Sequence, residues 1–303
     1  MQIGNICDIG RKRTLNEDCI LCINLSITSN SIAETSGLFV VADGMGGHKA
    51  GEIASRLATR EMARQCLSGL PELTSEETGI TPAIQNPGSM VELAVGIANK
   101  TIYDVSVNDS SLQGMGTTIV AALITGQDLF VTSAGDSRCY IINENEIVQV
   151  TKDHSLAQEM LDVGLIAPEE VRTHPRKNVL THVLGYEEKV EADSFNRKLY
   201  EGDYVLLCSD GLWGVLTDHQ IKETVLKAVS PQQACVELVA QANDMGGPDN
   251  ISVIIIRPES LPIRQEVLEA ETQVLAVSGR ASAPMQKERK GFFSLFGRKK
   301  SID

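Results

Sequence analysis

Apolar residues between positions 1 and 257 recur at two different periods, which predicts one domain of strands mixed with helices. Strand-like runs cover Ile20 to Ile27 and Gly37 to Ala42, then Thr117 to Ile124, Asp128 to Ala134, Arg138 to Ile142 and Glu146 to Val150. Gly126-Gln127 and Asn143 to Asn145 separate members of the second group at hairpin spacing, so these neighbours are expected to pair antiparallel, the links being too short for a parallel crossover. Tyr204 to Cys208 and Ile251 to Ile256 read as buried strands. Helical spacing appears over Arg56 to Cys66, in step with Ile53, Leu57, Met62 and Cys66, and over Met90 to Val105, where Val91, Ala94, Ala98, Ile102 and Val105 share a face. Further helices are expected over Ser155 to Val163, Asp218 to Val229 and Pro231 to Asn243, the last with proline in its first turn. Between the first two helices, Ser68 to Ser89 carries three prolines and reads as a loop.

The 303 residues leave room for one large domain or two modest ones. No apolar run approaches the ~18–20 residues of a membrane span, and the N-terminus lacks the basic and apolar parts of a secretory signal, so a cytoplasmic protein is expected. The formal net charge of −13 would repel a phosphate backbone, which argues against nucleic acid as a partner. Seven cysteines in apolar contexts read as reduced core thiols. Cys19 and Cys22 have the spacing of a zinc or redox pair, but no second pair accompanies them.

Acidic residues stand at the ends of the apolar runs. Asp43-Gly44 ends Phe39 to Ala42, Asp210-Gly211 follows Val205 to Ser209, and Asp136 follows Asp128 to Gly135. Asp249 precedes the final strand, and Glu17-Asp18 precedes Cys19. Each Asp-Gly taken alone reads as a turn. Together they read as carboxylates converging at one edge of a sheet, where a hard cation such as Mg2+ or Mn2+ would hold them. Arg13 reads either as a surface base or as a bidentate phosphate clamp.

These motifs, in this order, resemble the metal-dependent protein serine/threonine phosphatase family (type 2C) in its bacterial form. The resemblance rests on Arg13 to Asp18, Asp43 to His48, Gly114 to Thr118, Ala134 to Arg138, Thr151 to Ser155, His174 to Thr181, Ser209 to Trp213 and Gly247 to Ile251. It implies an α/β (α+β) fold of two stacked, largely antiparallel sheets flanked by helices on both sides. It implies that Asp43 bridges two Mn2+ or Mg2+ ions, with the Gly44 carbonyl on the second and Asp210 and Asp249 on the first. Glu17 and Asp18 would hold metal-bound waters, Arg13 would bind the substrate phosphate, and Asp136 with Asp210 would hold a third ion. A hydroxide bridging the two core ions would attack phosphoserine or phosphothreonine in a protein substrate. The implied setting is a bacterial pathway with a cognate Ser/Thr kinase, the enzyme acting as a monomer. Residues from about Asp153 to Gly185 match the flap that borders the active site.

Met45 stands where eukaryotic relatives carry a histidine, so the proton donor is unassigned; His48 reads as a structural or supporting residue. His154 and His174 carry no assigned chemistry. Beyond Arg257 the character changes, and residues 258–303 read as a tail. From Arg280 onward seven Lys and Arg face two acids, and Phe292, Phe293 and Phe296 lie between basic clusters. Such a tail is expected to dock on an anionic membrane surface, peripheral to the inner membrane, or on an acidic partner, or to fold back onto the negative face of its own enzyme.

Overall fold

The computed structural model describes residues 1–29, 32–46, 50–73 and 87–264. His48, the centre of the expected loop and the basic, aromatic end of the tail lie outside them.

Among the described residues, eleven strands form two antiparallel sheets. The first contains β1 (Gln2–Asp8), β7 (Arg138–Ile142), β8 (Ile147–Gln149), β10 (Tyr204–Cys208) and β11 (Ile251–Arg257), in the order β1-β11-β10-β7-β8. The second contains β2 (Asp18–Ser29), β3 (Ile32–Met45), β5 (Ile119–Thr125), β6 (Asp128–Ala134) and β9 (Asp193–Lys198), in the order β2-β3-β5-β6-β9, with the short β4 (Gly116–Thr117) on the end of β3. Period-two alternation builds the layers. Phe39 and Val41 of β3, Val120 and Ala122 of β5, Val205 and Leu207 of β10, and Ile254 and Ile256 of β11 pack between the sheets. The intervening Leu38, Val40, Ala121 and Leu123 face α1 (Ala50–Leu73) and α2 (Pro87–Asn108). On the opposite side Leu206, Cys208, Val253 and Ile255 face α5 (Asp218–Lys227) and α6 (Pro231–Asp244). The result is the expected α-β-β-α sandwich.

Several elements differ from the pattern in the sequence. The first helix starts at Ala50 and continues to Leu73, longer at both ends than the expected Arg56 to Cys66. The β5–β6 and β7–β8 neighbours pair antiparallel as expected. β6 and β7 do not pair: at Gly135–Ser137 the chain crosses from one sheet to the other. β1, β9 and the single turn α4 (Asp210–Trp213) have no counterpart in the apolar pattern. The compact unit runs on to Pro262, past the expected boundary at Arg257. Leu261 packs against the inter-sheet core, the Pro262 carbonyl accepts from Glu201 N–H at 3.0 Å, and Glu259 pairs with the Met1 ammonium at 2.9 Å.

Not all seven thiols lie in the core. Cys66, Cys139, Cys208 and Cys235 are buried, Cys19 and Cys22 are half-buried, and Cys7 is exposed. Cys19 and Cys22 stand three apart on β2 and so point to opposite faces. Cys19 contacts Thr59 of α1, while Cys22 packs against the inter-sheet core, which excludes a shared metal or a local disulfide.

Candidate active site

The two sheets present their strand ends at one edge of the sandwich, and the predicted acids lie along it. Antiparallel register sets Asp18, at the start of β2, opposite Asp43, near the end of β3. The Asp43 peptide is fixed on both sides: its N–H donates to Thr118 Oγ1 at 3.1 Å, and its carbonyl accepts from Thr118 N–H at 2.8 Å and Thr117 Oγ1 at 2.9 Å. Gly44 N–H donates to the Glu17 carbonyl at 3.1 Å. A Cβ on Gly44 would fall 2.2 Å from the Gly51 carbonyl oxygen of α1 and 2.5 Å from that of Glu17, so only glycine fits between them.

The other sheet supplies the remaining acids. Asp210 opens α4 directly after β10, and Asp249 precedes β11. Asn250 joins the halves: its Oδ1 accepts from Glu17 N–H at 2.9 Å, and its Nδ2 donates to the carbonyls of Ile9 and Leu15 at 3.0 and 3.1 Å. Ser209 makes a second joint, donating to Asp18 Oδ2 at 2.8 Å and accepting from Ser252 N–H at 3.0 Å. Asp136 lies on the Gly135–Ser137 crossover. Arg13 Nη2 pairs with Asp249 Oδ2 at 2.8 Å, and half of the Arg13 side chain stays exposed.

Electrostatics mark this edge as short of positive charge. Burial first, and then the carboxylates of Asp18, Asp210, Asp136 and Asp249, hold the Asp43 pKa well above the usual range. Burial pushes Asp18 up to about 7, with Asp210 and Asp249 adding to the rise against hydrogen bonds from Ser252 and Ser209. Asp210 rises to about 6 through burial and Asp249, moderated by flap Lys177 and by a hydrogen bond from Asp43. Asp136 is raised by burial and then by Asp210 and Asp153, and Glu17 is raised chiefly by burial. Three buried carboxylate oxygens here, Glu17 Oε1, Asp18 Oδ1 and Asp210 Oδ1, accept no hydrogen bond. Among the described residues, no three His, Cys, Asp or Glu side chains already converge as a ligand group. The fit to a divalent ion rests instead on the orphaned oxygens and the mutual repulsion of an all-oxygen set, which suits Mg2+ or Mn2+ and not zinc.

Several residues that build the site carried no signal by themselves. His154 fixes Gly135 twice, its Nδ1 accepting from Gly135 N–H at 3.2 Å and its own N–H donating to the Gly135 carbonyl at 2.8 Å. Its Nε2 lies 3.1 Å from Asp193 Oδ2. Thr118, Ser209, Trp213 and Asn250 likewise hold the acids without being acids. All lie inside the sequence motifs, the only place from which they could have been picked out.

The family model described as Protein phosphatase 2C matches residues 4–160 and 191–251. The chain is similar to the serine/threonine phosphatase stp of Listeria welshimeri, with 36% identity over 82% of this chain and 92% of that protein. Among solved structures it is similar to the Mycobacterium tuberculosis serine/threonine phosphatase PstP/Ppp, with 33% identity and a TM-score of 0.68 over 84% of this chain and 97% of that one. The catalytic domain of the protein phosphatase PstP in complex with two manganese ions is similar at 32% identity and a TM-score of 0.64, over 84% of this chain and 96% of that one.

Proposed function

The chain belongs to the protein phosphatase 2C family and is a metal-dependent protein serine/threonine phosphatase, and from that premise we propose how its own residues divide the work. Asp43, Asp210 and Asp249 would hold two core Mn2+ or Mg2+ ions, with the Gly44 carbonyl as a further ligand. Glu17 would hold water beside them, and Asp136 with Asp210 would hold a third ion. Bound there, the ions supply Lewis-acid polarisation of the phosphoryl group and lower the pKa of a water.

Arg13 binds the substrate phosphate. Asp249 anchors its guanidinium through one nitrogen, and the exposed remainder of the fork presents N–H donors to phosphoryl oxygens. Asp18 orients the attacking water: Ser209 fixes one carboxylate oxygen and leaves Oδ1 free to accept. Phosphorylated proteins are the substrates, and the enzyme opposes a cognate Ser/Thr kinase. The basic, aromatic tail docks the enzyme on an anionic membrane surface, a reading carried by its sequence alone.

The observation that carries this reading is the set of buried, mutually repelling carboxylates with unpartnered oxygens at one sheet edge. Turnover of a phosphothreonine peptide tests it. Activity is expected to require Mn2+ or Mg2+ and to vanish in chelator, and Asp43→Asn and Asp249→Asn should each lower turnover on the order of a hundredfold or more with the fold intact. Full activity in excess chelator, or in either variant, overturns it.

A further inference from the structure

Asp136 is held from behind by a residue that is not a ligand. Its backbone carbonyl accepts a hydrogen bond from the indole Nε1 of Trp213 at 2.9 Å. Trp213 closes the single turn α4 that Asp210 opens. One hydrogen bond therefore ties the peptide of Asp136 to the turn that carries Asp210. A buried indole N–H needs an acceptor, but many carbonyls would serve; this one belongs to the crossover between the sheets.

The indole itself is locked. The Arg138 guanidinium stacks 3.5 Å from the Trp213 ring centroid. Asp153 grips Arg138 through two bonds, Nε to Oδ1 at 2.8 Å and Nη2 to Oδ2 at 2.6 Å, and Tyr140 Oη accepts from Nη1 at 2.9 Å. Arg138 and Asp153 are almost wholly buried, so the stack has little freedom to tilt. Each residue of the crossover, and Arg138 at the start of β7, is thus fastened separately: Gly135 by His154, Asp136 by Trp213, Ser137 by Thr118 at 2.7 Å, and Arg138 by Asp153.

We propose that Trp213 is a positioning residue for Asp136, its N–H setting the spacing between the Asp136 and Asp210 carboxylates that a third divalent ion requires. This rests on the reading of Asp136 and Asp210 as ligands of that ion. Trp213→Phe keeps a ring under Arg138 and removes the donor. In calorimetric Mn2+ titration of the full-length protein, the variant should bind the weakest ion about tenfold less tightly and leave the tighter phase unchanged. Its kcat should fall at limiting Mn2+ and recover in excess, with KM for a phosphothreonine peptide unchanged.

Asp136→Ala separates the two readings. It should remove the weak phase altogether; if the weak phase survives, Asp136 is not a ligand and the underlying reading fails. If Asp136→Ala removes it while Trp213→Phe titrates as wild type, Trp213 only packs and the positioning role is overturned. Trp213 is the only tryptophan in the chain, so its emission provides a readout without the variant. Emission should change across the weak Mn2+ phase of the wild type and not in Asp136→Ala. An emission that is flat through that phase in the wild type overturns the proposal even if Trp213→Phe fails to fold.

Discussion

Asp18 shows how far burial, more than residue type, sets the chemistry at this edge. A carboxyl raised to about 7 favours the proton-bound form inside the fold. Its contribution to stability is therefore fully present below the ordinary carboxylate range and is lost as pH rises through about 7. Metal-free protein should accordingly melt several degrees lower at pH 8 than at pH 5 on this account, and Asp18→Asn should flatten the slope. Thermal melts after chelation read this directly, and an unchanged slope in Asp18→Asn would remove Asp18 as its source. Added Mn2+ should oppose the loss, because a divalent ion favours the ionised carboxylates. The acids themselves were legible in the sequence because each interrupts an apolar run with a charge. Their holders were not, because a hydrogen bond such as that of Ser209 to Asp18 joins positions 191 residues apart. Nothing in the local pattern around Ser209, Asn250 or His154 separates them from ordinary turn residues.

At the level of elements, the strands that alternate strongly or are wholly apolar were legible, β5, β6, β7, β10 and β11 among them. β9 was hidden because Asp193–Lys198 is a polar edge strand with Phe195 as its single large apolar residue, and β1 because Gly4 interrupts an already short alternation. The crossover from β6 to β7 was hidden for another reason. It depends on Gly135 adopting φ +106°, which no hydrophobic period reports. A Cβ there would fall 2.6 Å from the Thr118 side chain, the same side chain that accepts from Asp43 N–H. Gly135→Ala should therefore destabilise the protein by about 2 kcal/mol or more, through backbone strain and overpacking together. It should also weaken Mn2+ binding by displacing Thr118. Denaturant melts and a Mn2+ titration test this; a variant with unchanged stability would show that the crossover relaxes freely.

For the whole molecule, the sandwich and its acidic edge stand within Met1–Pro262. The distribution of charge along the chain is uneven: a net −13 overall includes a stretch from Arg280 that carries seven Lys and Arg against two acids. Truncation after Pro262, which keeps the contacts of Glu259, Leu261 and Pro262, should leave turnover of a short phosphopeptide unchanged and reduce binding to vesicles rich in phosphatidylserine. Equal vesicle binding by both forms would leave the tail without a membrane role, and lost peptide turnover would make it part of the catalytic unit.

The flap has its own consequence. Backbone pairing of Ser155 with Leu180 joins its two ends to each other, and Thr117 with Leu184 pins the second end to the body, so its interior enters and leaves at nearly one place. The family match also breaks over residues 161–190, from inside this segment to just past its end, while the acids on either side stay inside the match. Inside it, Arg172 donates to the carbonyls of Trp213 and Leu216 at 2.6 Å each and pairs with Asp218, so the segment is tied to the turn α4 as well as at its base. A chimera spliced at Ser155 and Leu180 should therefore inherit the donor's choice of phosphoprotein, and keep the recipient's appetite for manganese only where the donor restores the cations at Arg172 and Lys177 that face α4 and Asp210.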